Sequence, residues 1–328
     1  MSKRRFLKAI GVDVGGTHLR WALVSSEGEV LRQDILCHRE GGGNLESVHR
    51  MIQEFSLLLR DQPDIQGIGI GLPGSVDSRT GVLLKAPNLP SWVGTSVSAL
   101  FRKQLGDFLP ILTTNDANLY ALGEGWGGSA QGIPNFLCVT LGTGVGGGLV
   151  LNGRLWEGNW ESVAEVGHLC VVVDGRPCAC SRRGCLESYV SCSAFVEQAR
   201  ERLGREEASS ALKKLFSGSF LPDAKLLARL AETKEAPEVQ ELLSRIGKYL
   251  GIALGGVVNL LGLETIVVGG GLSGSFHLFE GSLIQHFKEQ IFSERAQSVK
   301  VVKAALGQLA GPIGGAKWVF DHLDEKSG

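Results

Sequence analysis

Apolar and polar positions along this chain alternate between strand-like and helix-like periods. Residues 6–36 alternate around Ile10-Gly11-Val12-Asp13-Val14-Gly15-Gly16-Thr17 and continue through Leu19, Trp21, Leu23 and Val24, which predicts a β-meander. From 44 to 60, Leu45, Val48, Ile52, Phe55 and Leu59 recur at helical spacing behind Asn44 as N-cap. A strand over 65–70 leads into Gly71-Leu72-Pro73-Gly74-Ser75, and a hairpin follows through Gly81-Val82-Leu83. Residues 97–105 read as a helix. A strand over 110–114 delivers Asn115-Asp116 to a helix over 117–124, and 136–151 reads as a second hairpin. Residues 193–246 look helical, broken near Gly204, Gly218, Pro222 and Pro237, and 242–261 reads as one long buried helix. A strand then runs into Gly269-Gly270-Gly271, another covers 298–304, and a last helix covers 312–323. Strands and helices in alternation predict an α/β protein.

Glycine marks three of these strand ends. Leu141-Gly142-Thr143-Gly144-Val145-Gly146-Gly147-Gly148 has the design of the first turn, and Ile266-Val267-Val268-Gly269-Gly270-Gly271 is the third. A backbone without Cβ can approach an anion closely, and successive N–H groups in such a turn form a nest for phosphate oxygens. Three such turns predict a nucleotide held between two related halves. No Gly-Lys-Ser/Thr follows any of them, so none is a P-loop. A strand follows the first two where a dinucleotide fold would have a helix.

Composition narrows the class. The chain has 328 residues, enough for two domains, with 43% hydrophobic and 20% charged residues, as a globular protein has. A net charge of −1 argues against a partner held by bulk electrostatics, so neither nucleic acid nor a membrane surface is expected. Lys3-Arg4-Arg5 could open a signal peptide, but Asp13 interrupts the apolar run and no small-residue cleavage site follows. The expected place is cytoplasmic. The most apolar later run, 250–263, is too short to span a bilayer.

Of seven cysteines, three cluster in Cys178-Ala179-Cys180-Ser181-Arg182-Arg183-Gly184-Cys185, just after Glu165-Val166-Gly167-His168. One His and three Cys make a Cys₃His set for tetrahedral structural zinc. His168 is the least determined of the four, because a lone His is often an ordinary satisfied side chain. Its second ring nitrogen could meet a substrate hydroxyl, with Glu187 held nearby. Cys37, Cys138, Cys170 and Cys192 read as buried small hydrophobes. Asp116 lies where a strand passes into a helix; it suits a general base and equally an ordinary cap. Asp13 could hold Mg²⁺ through water, or could simply start a turn.

Taken together, Asp13-Val14-Gly15-Gly16-Thr17, Asn115-Asp116, the glycine turn at 141–148, Glu165-Val166-Gly167-His168, Cys178-x-Cys180-x4-Cys185-Leu186-Glu187 and Gly269-Gly270-Gly271-Leu272 resemble the ROK family. The resemblance runs in order over nearly the whole chain. It implies a two-domain actin-like ATPase (ribonuclease-H-like) fold with an interdomain cleft, here divided as 1–113 plus 309–328 and 114–308. It implies an ATP-dependent hexose kinase that phosphorylates the 6-hydroxyl of a sugar, glucose first, N-acetylglucosamine or N-acetylmannosamine as alternatives. By the same carry-over, Asp116 is the catalytic base, and Asn115, Glu165, His168 and Glu187 bind the sugar. The loop from Gly74 to Trp92, with Asn88, would discriminate at C2. Gly15, Gly16, Thr17, Thr143 and Gly144 would surround the phosphates of ATP, Gly270 and Gly271 the nucleoside, and Asp13 would serve Mg²⁺. Zn²⁺ would take His168, Cys178, Cys180 and Cys185, and a homodimer is implied. One position departs from the family pattern: Ser181 stands where Gly usually follows the second cysteine.

The same resemblance allows a sugar-sensing regulator. Family repressors carry a helix-turn-helix domain before the first glycine turn, and here twelve residues precede Asp13, too few for one. A non-catalytic sugar-binding protein is the third possibility.

Overall fold

A computed structural model describes residues 6–37, 45–86, 89–159, 162–204, 208–218 and 221–327. The chain divides into two compact units: Met1–Ile133 with Gly148–Val163 and Ala305–Gly328, and Pro134–Gly147 with Ala164–Ala304.

The first unit is built on β1 (Lys8–Val14), β2 (His18–Ser25), β3 (Val30–Cys37), β4 (Ile65–Leu72) and β7 (Ile111–Asn115). Their order is β3-β2-β1-β4-β7. The meander β1-β2-β3 is antiparallel, while β4 and β7 join it in parallel. Alternation sorts the side chains. Ile10, Val12, Val14, Leu19, Trp21 and Leu23 join one core with α1 (Leu45–Asp61) and α2 (Val97–Leu105). Trp21 meets Phe55 edge-on there, centroids 5.2 Å apart. Ala9, Ala22 and Val24 belong to a second core with Ile313, Ala316 and Val319 of α10 (Ala310–Ser327). Small residues face α10 because its backbone lies almost on the sheet: a Cβ on Gly69 would collide with the Gly315 carbonyl. A hairpin of β5 (Ser75–Asp77) and β6 (Val82–Lys85) follows β4.

Helix α3 (Asp116–Gly127) packs on α10 and β4, so it belongs to the first unit. The sequence-based boundary at 113/114 therefore falls one helix early. A contact between α3 and a helix nearly two hundred residues later leaves no local trace. On the return, the unit boundary lies at Ala304/Ala305.

The second sheet has the order β10-β9-β8-β11-β12. It comprises β8 (Phe136–Leu141), β9 (Val145–Leu151), β10 (Arg154–Leu155), β11 (Thr265–Gly269) and β12 (Lys300–Lys303). By chain segment, β8, β11, β12 and the start of β9 fall in the second unit, and the rest of β9 with β10 in the first; the second unit holds α4 (Glu187–Val190), α5 (Cys192–Arg202), α6 (Ser210–Phe216), α7 (Ala224–Glu232), α8 (Pro237–Leu261) and α9 (Glu280–Gln290). The expected break near Pro237 falls between α7 and α8, and Pro237 itself occupies the first turn of α8, where its missing N–H costs nothing, so that helix begins five residues before the expected 242. Gly262 closes it in the left-handed conformation. Helix α9 packs along α8 and was not legible from the sequence, being short and only weakly periodic. Among the described residues, no helix is long and apolar enough to cross a membrane. Asn44, the expected cap of α1, lies outside the described residues.

Candidate active site

In the first unit the candidate residues gather at the carboxyl ends of neighbouring parallel strands, where α/β folds bind ligands. Asp13 pairs with Gly71 across β1 and β4, and Gly71 with Thr114 across β4 and β7. Beyond β1 the chain turns tightly, with the Gly15 amide donating to the His18 carbonyl at 2.8 Å. Gly16 and Thr17 are exposed at the tip of this turn. Asp13 faces Arg20 across the hairpin, Oδ2 to Nη1 3.8 Å. Burial pushes the Asp13 carboxyl up to about 6, although the Arg20 charge pulls the other way.

At the β7–α3 junction, Asn115 caps the helix through Oδ1, which accepts the Ala117 amide at 2.8 Å. Its Nδ2 donates to the Gly74 carbonyl, also at 2.8 Å. Asp116 opens α3, and its Oδ1 accepts the same Ala117 amide at 2.9 Å. Gly74, Asn115 and Asp116 thus form one connected group. Asn88 lies outside the described residues.

In the second unit the other two glycine turns meet. Gly270 has φ +82, and a Cβ there would press within 2.5–2.7 Å of the Leu141 backbone, so only glycine fits. Gly271 and Thr143 are exposed beside this contact. The Cys192 amide at the start of α5 donates to the Gly142 carbonyl at 2.8 Å. Glu187 reaches the same turn: its Oε2 accepts the Val145 amide at 2.9 Å and fills the space a Cβ on Gly144 would need. The other oxygen, Oε1, lies 3.9 Å from the Cys178 sulfur. Glu187 therefore links the glycine turn to the cysteine loop.

That loop brings His168, Cys178, Cys180 and Cys185 together, with candidate ligand atoms all within 4.8 Å of one another. His168 Nδ1 is 3.8 Å from Cys178 Sγ, and Cys180 Sγ is 3.6 Å from Cys185 Sγ. Sulfurs bonded at ~2.3 Å to a tetrahedral ion stand about 3.8 Å apart, so the spacing and donor set fit zinc. Burial, with the other two thiols, pushes Cys185 up to about 12. Burial acts the same way on Cys180, but hydrogen bonds from Arg182, Cys178 and Cys185 bring it down to about 6. Glu165 opens the short 3₁₀ turn Val166–His168 and accepts the His168 amide through its carbonyl at 3.0 Å.

The loop is braced from outside. Arg176 grips Glu201 with two hydrogen bonds of 2.8 and 2.7 Å and pairs with Glu197 at 3.0 Å. Ser181 has φ +70, left-handed backbone that glycine takes without strain. The departure noted in the sequence thus falls on the backbone and leaves the ligands intact. Arg20 and Arg176 escaped the sequence reading; only the register of β1 on β2 singles out Arg20. Two further expectations fail: Cys37 and Cys170 are exposed, at a sheet edge and in the loop, where no core reaches them.

Comparison with known proteins agrees with this arrangement. The ROK family profile matches residues 9–322. The glucokinase of Halalkalibacterium halodurans is 33% identical over 320 residues, covering 96% of this chain and 95% of that one. A ROK family glucokinase from Streptomyces griseus, solved with glucose and AMPPNP, superposes with a TM-score of 0.78 at 28% identity, covering 96% and 99%. A ROK family transcriptional regulator, a homologue of the E. coli MLC protein, gives 0.81 at 26% identity, covering 96% of this chain and 78% of the regulator. The fold is the two-domain actin-like ATPase fold of α/β class. Within that class, the chain belongs to the ROK family.

Proposed function

We propose that this protein is an ATP-dependent hexose kinase that transfers the γ-phosphoryl group of ATP to the 6-hydroxyl of glucose. The observation that carries the reading is the link through Glu187, which ties a Cys₃His cluster to a phosphate-type glycine turn. It is supported by the likeness to glucokinases over nearly the full chain. N-acetylglucosamine and N-acetylmannosamine are the alternative substrates.

The roles are those that the family resemblance implies. Asp116 accepts the proton of the sugar O6 as that oxygen attacks the γ-phosphorus. Asn115, Glu165, His168 and Glu187 take the ring hydroxyls, with Gly74 beside them; directional hydrogen bonds reject sugars that lack a matching hydroxyl. Gly15, Gly16, Thr17, Thr143 and Gly144 surround the phosphates, and Gly270 and Gly271 lie near the nucleoside. Asp13 would hold Mg²⁺, which neutralises phosphate charge when bound. His168, Cys178, Cys180 and Cys185 would hold Zn²⁺, which supplies rigidity to the loop bearing His168 and Glu187. The kinase reading goes with a cytoplasmic homodimer that works on a small sugar, without nucleic acid or membrane.

A sugar-sensing regulator is the second reading, favoured by the likeness to the MLC homologue. Hexose-dependent ADP formation separates the two. Glucose should elicit it in the wild type, and Asp116→Asn should lower kcat by about 10²–10⁴ with the fold intact. Near-wild-type turnover in the variant would remove Asp116 from its role, and no ADP with any hexose would remove the kinase.

A further inference from the structure

Cys170 stands outside the metal cluster yet directly opposite one of its members. Cys170 and Cys185 are partners in an isolated antiparallel bridge. The flanking bonds run from the Leu186 amide to the Leu169 carbonyl and from the Val171 amide to the Gly184 carbonyl, both 2.8 Å. The two cysteines are therefore a non-hydrogen-bonded pair, the kind whose Cα atoms approach to about 4.5 Å with their side chains close. A disulfide asks for Cα atoms about 4.4–6.8 Å apart, so rotation of the side chains is enough to close one here. The Cys170 sulfur already lies against the opposing strand, 3.2 Å from where a Cβ on Gly184 would stand. The two thiols are unequal. Cys185 is buried, with its sulfur 3.6 Å from that of Cys180. Cys170 is exposed, and among the described residues it is outside the group of candidate metal ligands. Susceptibility to oxidation follows exposure, and a sensor thiol needs a second cysteine within reach to resolve it.

We propose that Cys170 is a peroxide-sensing thiol that closes a disulfide with Cys185 and so opens the metal site. This rests on the zinc reading of the cluster and not on the kinase reading. In the first step the Cys170 thiolate attacks one oxygen of a peroxide; the O–O bond breaks, hydroxide leaves, and a sulfenic acid remains. In the second step the Cys185 sulfur attacks the Cys170 sulfur; the S–S bond forms, the S–O bond breaks, and a second hydroxide leaves. Each hydroxide takes a proton from solvent. Hydrogen peroxide thus ends as two waters, reduced by the two electrons that the sulfurs give up. With Cys185 withdrawn, His168, Cys178 and Cys180 remain, and three ligands hold the ion less tightly than four. His168 lies two residues before Cys170, and Glu187 two residues after Cys185. Oxidation therefore acts on the two strands that carry the candidate sugar side chains.

The test follows metal and covalent mass, without turnover. Hydrogen peroxide added to the zinc-loaded full chain should release zinc, read with a colorimetric zinc chelator. Peptide mapping without reductant should then recover Cys170 joined to Cys185. Dithiothreitol with added zinc should restore the metal. Cys170→Ser should carry as much zinc as the wild type and release it at least about tenfold more slowly at equal peroxide. Release from Cys170→Ser as fast as from the wild type would overturn the proposal. So would a map in which Cys185 joins Cys178 or Cys180 instead. A purified chain that holds no zinc would count against the zinc reading; the link between Cys170 and Cys185 is still read from the map, and its absence there overturns the pair. A chain that forms no ADP with any hexose would count against the kinase reading alone.

Discussion

At the scale of single residues, Asp13 shows how a half-buried carboxylate burdens the fold. Its pKa rises from 3.8 in the unfolded chain to about 6 when folded, so the folded state holds the proton more tightly. Between those values the folded protein binds more protons, and stability falls as pH rises through the window. Above about pH 6 the penalty is complete; below about pH 4 it is gone. Asp13→Asn, free of nucleotide and metal, should therefore be more stable than the wild type at pH 7.5 by on the order of 2 kcal/mol, and no more stable at pH 4. Urea denaturation at the two pH values measures this. The same variant should lose most of its turnover at saturating MgATP. A variant no more stable at pH 7.5 would mean the carboxyl is better solvated than its surroundings indicate. Asp13 was legible from sequence because an acid before Gly-Gly-Thr is a pattern of neighbours. Arg20 was not, because its partner is seven residues away across a hairpin and only strand register brings the two side by side.

Among elements, the cysteine loop is the one whose sequence said most. One His and three Cys suit a metal site whatever the surrounding fold, and the structure brings the four side chains together. The supports were hidden, because Arg176 finds Glu197 and Glu201 on α5, beyond the loop. Metal analysis of the purified protein should give one zinc per chain. A strong chelator should weaken glucose binding and lower the melting temperature, since Glu187 and His168 lose their anchor. Glucose affinity unchanged after verified zinc removal would detach the loop from the sugar. Ser181→Gly should leave the zinc content alone and raise the stability of the loaded protein by roughly 1 kcal/mol, the strain a left-handed serine carries. Helix limits were less legible than strands. The long helix was expected from 242, but α8 starts at Pro237, which fits a helix's first turn.

At the scale of the molecule, the first unit is assembled from three separate pieces of chain, and Glu124 helps fasten them. It is fully buried in α3. Its carboxylate accepts the Ser129, Ala305 and Leu306 amides at 2.8, 3.0 and 2.8 Å, the last two where the chain re-enters the unit. A Gln here would lose an acceptor and turn an NH₂ group toward amide donors. Glu124→Gln should cost about 2–4 kcal/mol in urea denaturation with little change in KM. A cost below 0.5 kcal/mol would show that water reaches these amides. Nothing in the sequence marked Glu124, the second acid of a mostly apolar helix. The unit boundaries were hidden for the same reason, being set by contacts between distant segments.

The dependence of the first sheet on α10 also orders events at the ribosome. Strands β1 and β2 emerge early, yet the surface formed by Ala9, Ala22 and Val24 stays bare until residues 310–327 are synthesised. The other unit has its whole complement of chain, through Ala304, before that helix exists. Translation therefore completes the later-encoded half first, and a nascent chain stalled near 305 would present an uncovered sheet face to chaperones.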